Sequence, residues 1–224
     1  MVLQLDKHFH QSEIFSALPE AERVTLLKEA SHKTLTKGQF LTHQGDVWPN
    51  VILVISGQLR WVMLAASGKE HLLFNIDAGQ SFWAHSVFDD EPMPASLCAD
   101  KKTEVLIWDR KTILKYLRQY PDVMWKTTRM LTRIMRQARE IIYGLAFQPV
   151  AGRLAGLLLD QYTDSNSDQI DRDFTLNDLA TRVAASPEVV CRVLYKFQED
   201  GILEITRASF KIQDLDALEN AKGE

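Results

Sequence analysis

Between Pro121 and Leu145 the chain reads PDVMWKTTRMLTRIMRQAREIIYGL, with apolar or small residues at Met124, Thr127, Leu131, Ile134, Ala138, Ile141 and Leu145. The steps alternate three and four without a slip, which is the spacing of a coiled-coil seam. Pro121 suits a first helical turn, where its missing N–H breaks no bond. A helix of about 25 residues extends about 37 Å. Lys126, Arg129, Arg133, Arg136 and Arg139 flank the seam, so it is narrow and its sides are wet. An ordinary amphipathic helix lying on its own core is the alternative. A narrow seam on so long a helix predicts a parallel homodimer, with one domain hung on each end.

That helix leaves two stretches to be assigned. In 224 residues, 46% are hydrophobic and 25% charged, which is ordinary for a globular protein with ample core. No run approaches the roughly 18 apolar residues of a membrane span, so no membrane partner is expected. The start carries no basic segment followed by an apolar run, so no secretory signal is expected. Cys98 and Cys191 form no CxxC pair or ligand cluster, and a reducing cytoplasm suits them. The net charge of −4 argues mildly against nucleic acid. A whole-chain sum averages over domains, however, and the local charge of the DNA-facing surface decides.

Before the long helix, Ser12 to Ala30 reads as one or two short helices. Six short β-rich runs follow: Phe40–Thr42, Val51–Ile55, Leu59–Leu64, His71–Ile76, Ser96–Ala99 and Val105–Trp108. Turn signals such as Gln44-Gly45-Asp46, Ser56-Gly57 and Ala78-Gly79 separate them. Short strands at such spacing predict an antiparallel jelly roll. Asp109 is placed to cap a helix from Arg110 to Tyr120.

After the long helix comes a second amphipathic helix, Val150 to Gln161, and a polar surface loop, Thr163 to Asp173. Thr175-Leu176-Asn177-Asp178 is a capping box opening a helix through Val183. Ser186-Pro187-Glu188 supplies an N-cap, an N1 proline and an acidic first turn for another helix, which Gly201 stops. Ile202–Ile205 and Phe210–Ile212 form a hairpin. Helix, tight turn, helix and β wing describe a winged helix-turn-helix. The fold class expected is α+β: a jelly-roll β-roll over 1–120, a coiled-coil dimerisation helix and hinge over 121–147, and a winged helix-turn-helix over 148–224.

This order of parts resembles the cyclic-AMP receptor/fumarate-nitrate regulator (CRP/FNR) superfamily of bacterial transcription factors. The likeness is carried by YPDV at the start of the long helix, LAFxxVxGRLAxLLL across the hinge and TxxDLAxxVxxSPExVxRxLxxFQEDGIL beyond it. It covers nearly the whole chain. The resemblance implies a homodimeric DNA-binding transcription regulator, not an enzyme. A small effector in the β-roll would control it, with palindromic double-stranded DNA and RNA polymerase as partners. Glu188 and Arg192 share one helix face near a capped N-terminus, where Glu can accept from cytosine N4 and Arg can fork onto guanine. Thr175, Ser186, Val189, Lys196 and Arg207 complete the expected DNA-binding set. Cys191 replaces the serine of the family's Glu-xx-Ser-Arg reader.

The effector is less determined. Cyclic-nucleotide members carry a Gly-Glu pair for the ribose and an Arg-Ser pair for the phosphate; here those places hold Trp83-Ala84 and Pro94-Ala95. No Lys or Arg occurs between Lys69 and Lys101. A buried phosphate without a cation or equivalent donors is costly. Cyclic AMP is therefore disfavoured, and so is an iron–sulfur cluster, since the N-terminal cysteine cluster of those members is absent. Phe82-Trp83-Ala84-His85-Ser86 resembles the segment of the haem-containing carbon-monoxide sensor in which a histidine binds iron. That makes haem a candidate, with His85 its ligand and Phe82, Trp83, Trp125 and Arg129 lining the effector pocket. The other candidate is an unidentified aromatic or apolar molecule. Two further readings stay open: a cupin-like metalloenzyme using His43, His71 and His85, and a signal-binding scaffold that contacts protein instead of DNA.

Overall fold

Asn50–Ser56 (NVILVIS) is buried at four successive positions, so both faces of this strand are covered. The computed structural model, which describes residues 9, 12–164, 169–172 and 175–223, shows why. The strands in order are β1 (Ser31–Leu35), β2 (Phe40–Thr42), β3 (Asn50–Ser56), β4 (Gln58–Leu64), β5 (Glu70–Asp77), β6 (Ser81–Trp83), β7 (Ser96–Ala99) and β8 (Thr103–Asp109). They form two four-stranded sheets, β1-β8-β3-β6 and β2-β7-β4-β5. The expected β-roll is present, with two strands that the sequence pattern does not announce. The first is β1, polar at four of five positions, and the second is β6, only three residues long. Gly57 turns β3 into β4 at φ 86°, and a Cβ there would overlap the Lys102 carbonyl.

Register decides which side chains enter the roll. Val51 pairs with Trp83 on one side and Trp108 on the other, while Ile52 pairs with Phe82 and Ile107. Successive strand residues face opposite ways, so Trp83 and Trp108 share one face and Phe82 takes the other. Phe15 covers the first face, with ring centroids 5.9 Å from Trp83 and 5.1 Å from Trp108. The Trp108 indole N–H donates to the Leu26 carbonyl at 2.7 Å, tying in helix α1 (Glu20–Glu29). The short α2 (Ser86–Asp89) follows β6, and Asp109 caps α3 (Arg110–Gln119) by accepting from the Thr112 N–H at 2.8 Å.

Helix α4 (Pro121–Phe147) is the expected long helix, but its seam divides. Val123 and Thr127 are each only 1% exposed, and Val123 and Met130 pack on the β-roll core. The Thr127 hydroxyl donates to the Val123 carbonyl at 2.8 Å. Thr127 therefore faces its own chain and cannot face a twin, which corrects one member of the predicted seam. Ile134 and Ile141 are half-buried, and Met124, Ala138 and Leu145 are exposed. One position further round, Thr128 is exposed, Met135 is 73% exposed and Ile142 65%. Compact units divide the chain within this helix, between Met135 and Arg136, with Lys69–His71 grouped with the second.

In the second unit α5 (Val150–Asp164), α6 (Leu176–Arg182) and α7 (Pro187–Glu199) surround a core of Leu154, Leu158, Leu179, Val190, Leu194 and Phe197. The predicted loop Thr163 to Asp173 instead contains a strand, β9 (Gln169–Asp171); residues 165–168 and 173 lie outside the described residues. It pairs with β11 (Ser209–Ile212), which pairs with β10 (Leu203–Ile205), so the wing is a three-stranded sheet ordered β10-β11-β9. A closing helix, α8 (Leu215–Lys222), packs on α5. The approach is tight: a Cβ on Gly152 would meet the Lys222 carbonyl at 2.9 Å. Helix α6 ends in a Schellman motif, with the Ala185 N–H on the Ala180 carbonyl at 3.0 Å and Ala184 left-handed at φ 50°.

Candidate nucleic-acid interface and effector site

The DNA-reading candidates gather on the two-helix unit. Thr175 and Asp178 form the predicted capping box: the Thr175 hydroxyl accepts from the Asp178 N–H at 3.1 Å, and the Asp178 carboxylate accepts from the Thr175 N–H at 2.9 Å. Ser186 caps α7, accepting from the Val189 N–H at 3.4 Å. With Val190, Leu194 and Phe197 buried, the helix is fixed in rotation and its opposite face is left to solvent. That face carries Glu188, Cys191, Arg192, Tyr195, Lys196 and Glu199, which line a shallow open groove. Glu188, Arg192 and Lys196 are exposed and Val189 is half-buried; Arg207 is exposed at the tip of the wing. A hydrogen bond from the Ser186 hydroxyl, then one from its own N–H, holds the Glu188 carboxyl below its ordinary range. Glu188 is thus a pure acceptor at neutral pH. Sequence reasoning missed Tyr195, which is 60% exposed on the same face as Arg192. The i, i+3 spacing from Arg192 was the available signal.

The effector candidates do not converge as expected. Phe82 and Trp83 are both buried, but they face opposite sides of their sheet. Trp83 stacks on Phe15 and Phe88 and donates its indole N–H to the Ser81 hydroxyl at 3.2 Å. It belongs to the layer outside the roll. Trp125 is 64% exposed and Arg129 is exposed, so neither joins Phe82. An aromatic cluster gathers instead around Trp61, which in the sequence is only one more strand residue. Its ring lies 4.9 Å from Phe74, 5.6 Å from Phe82 and 5.5 Å from His85, the last stacked at 22°. Two buried polar atoms here, Trp61 Nε1 and His85 Nδ1, have no hydrogen-bond partner among the described residues. Burial pushes the His85 pKa below its ordinary 6.5, with Asp89 opposing in part.

These residues do not fit haem. His85 is stacked flat on Trp61, which is itself packed on Phe74 and Phe82, and a macrocycle would have to replace those rings. The cyclic-nucleotide positions fare no better, since Ala84 and Ala95 are fully buried methyl groups with no donor to offer. Among the described residues no three His, Cys, Asp or Glu side chains are placed to hold a metal. No described helix is long and apolar enough to cross a membrane.

A cyclic-nucleotide-binding type of β-roll joined to a winged helix-turn-helix defines an effector-controlled DNA-binding regulator. Comparison with known proteins agrees. Residues 32–120 match the model of the cyclic nucleotide-binding domain and residues 152–221 that of the Crp-like helix-turn-helix domain. The chain is 26% identical to the cyclic AMP receptor protein of Thermus thermophilus, over 93% of this chain and 95% of that one. It is 23% identical to a CRP-like cAMP-activated global transcriptional regulator of Mycobacterium tuberculosis, over 96% and 98%. Among solved structures, a variant of CooA from Carboxydothermus hydrogenoformans superposes with a TM-score of 0.76 at 23% identity, over 89% of this chain and 90% of that one. A regulator from Eubacterium rectale gives 0.74 at 20% identity, over 94% and 98%. The chain belongs to the CRP/FNR superfamily of transcription regulators.

Proposed function

We propose that two copies of this chain read a palindromic duplex whose half-sites contain TGA or a close relative, centred about one helical turn apart. The observation that carries this reading is the exposed face of α7. Glu188 and Arg192 stand one turn apart at its Ser186-capped end, while the inner face is locked in the core. Arg192 would fork onto guanine, Glu188 would accept from cytosine, and Lys196 and Arg207 would hold phosphates. In a site-selection experiment Arg192→Ala should cost about 1–3 kcal/mol at the guanine and flatten preference there. An unchanged half-site preference would refute the assignment. Catalysis has no part in this reading, and RNA polymerase is the expected protein partner by family resemblance.

The dimer seam we propose runs through Met124, Thr128, Leu131, Met135, Ala138, Ile142 and Leu145. It keeps the alternating three-four spacing but uses the side chains left open to solvent. For the effector we propose a small uncharged molecule with an aromatic or apolar body, bound beside Phe82 and His85. The unpaired Trp61 N–H and His85 Nδ1 support this, because a ligand exchanging hydrogen bonds with them would relieve two buried unsatisfied groups. Cyclic AMP lacks its partners here, so calorimetry should give no binding in the micromolar range; a micromolar constant would overturn this part.

A further inference from the structure

Arg153 lies in the first turn of α5, and its guanidinium donates to backbone carbonyls of three different segments. Nε reaches the Val183 carbonyl at the C-cap of α6 at 2.9 Å. Nη1 reaches the Gln148 carbonyl, in the link between α4 and α5, at 2.7 Å, and the Gly144 carbonyl in the last turns of α4 at 3.5 Å. The Gly144 carbonyl also accepts from the Gln148 N–H at 3.0 Å, so Arg153 shares that acceptor, while its two short bonds go to the Val183 carbonyl at a helix C-cap and the Gln148 carbonyl in the link. Among the described residues no carboxylate lies within ion-pair distance of Arg153, so its charge is directed wholly at neutral acceptors.

The surroundings are built for the same contact. A Cβ on Gly144 would come within 3.3 Å of the Gln148 side chain and 3.7 Å of Arg153 Cδ. The Gln148 side-chain amide in turn donates to the Lys222 carbonyl at 3.2 Å, drawing in the end of α8. Val183 opens the turn that delivers Ser186 and α7, so holding its carbonyl holds the start of the reading helix.

We infer that Arg153 is a positioning residue that makes the α4–α5 link a clamped joint, so that α7 is carried rigidly by the end of α4. The inference extends the DNA-reading proposal but is measured without DNA. Lysine cannot replace it, because an ammonium is a point donor and cannot span Val183 and Gln148 in one plane.

The test uses the full chain with Cys191→Ser and nitroxide labels at Glu140→Cys on α4 and Gln198→Cys on α7, both exposed positions, diluted with unlabelled chain. Cys98 is buried and does not label. With Arg153 present the label distance should be single and narrow. In Arg153→Met and Arg153→Lys it should broaden while helix content stays the same. Specific DNA affinity should fall about tenfold, with an unchanged salt slope because no phosphate contact is lost. Should the Met variant fail to fold, the Lys variant, which keeps charge and stem, decides. A distribution as narrow in the variants as in the parent overturns the clamp. Absence of DNA binding by the parent chain would instead overturn the reading proposal and leave the distance result standing.

Discussion

In the reader, polar side chains at helix starts find their partners within three residues: Thr175 with Asp178, Ser186 with Val189, Asp214 with Ala217. The groups proposed to read DNA, Glu188 and Arg192, are left exposed. In the β-roll the polarity is reversed. Trp61 and His85 are drawn inward, and Trp61 Nε1 and His85 Nδ1 end without partners among the described residues. A surface that meets a rigid duplex needs display on a fixed frame. A pocket for a small molecule needs convergence from several strands and some unfilled bonding capacity. The two units therefore differ in what can be learned from each: the reader reveals its chemistry one helix at a time, and the roll only as an assembly.

The sharpest way to break this contrast is Trp61→Ala. Removing a buried indole at the centre of Phe74, Phe82 and His85 should destabilise the roll by about 3–5 kcal/mol and leave the reader's own transition in place. Calorimetry of the full chain should show the first transition shifted down and the second unmoved; a joint shift would mean that the two units fold as one. The next effect concerns the helix they share. Ile142→Glu puts a charge on the open stripe of α4, where a twin would bury it, and should weaken the dimer by about 2–4 kcal/mol. Ile134→Glu, half-covered by its own chain, should cost less association. Sedimentation equilibrium of both variants ranks them, and the reverse order restores the seam through Ile134 and Ile141.

The smallest effect is a pH slope confined to the roll. His85 has a folded pKa below 6.5 because burial disfavours its charged form. Between that folded value and 6.5 the unfolded chain binds more protons than the folded one, so stability falls as pH drops through this window and levels off below it. Denaturant titrations from pH 7.5 to 5 should show the decline in the parent and not in His85→Gln. The same decline in both would assign it to other groups. The reader transition should not follow His85.

The reader is legible in the sequence because its signals are local. Capping box, N1 proline and stop glycine each lie within a few residues, and the spacing of Glu188 and Arg192 needs only a helix to have meaning. The seam is half legible. Its three-four spacing names two stripes that share Met124, Leu131, Ala138 and Leu145, and only the packing of Val123 and Thr127 against the roll tells which stripe is spoken for. The effector site is least legible, because strand alternation sends Phe82 and Trp83 to opposite faces once β6 is recognised as a strand. Trp61 reaches His85 from another sheet, across a separation no local pattern records. Arg153 stands in plain view within GRLA, but carbonyl partners leave no mark in a sequence.

Ala184 occupies the left-handed position of the turn between α6 and α7, where glycine usually sits, and a side chain there costs about 1 kcal/mol. That energy is a small tension stored at the one point that sets the angle between the two helices. If the turn slackens, Ala184 falls back to an ordinary backbone basin, and it must climb again before α7 can be reseated. Glycine would remove the tension but would let the turn wander through many shapes at little cost. With alanine fewer backbone shapes are open to this turn than with glycine, so the angle at which the chain offers Glu188 and Arg192 is more narrowly defined.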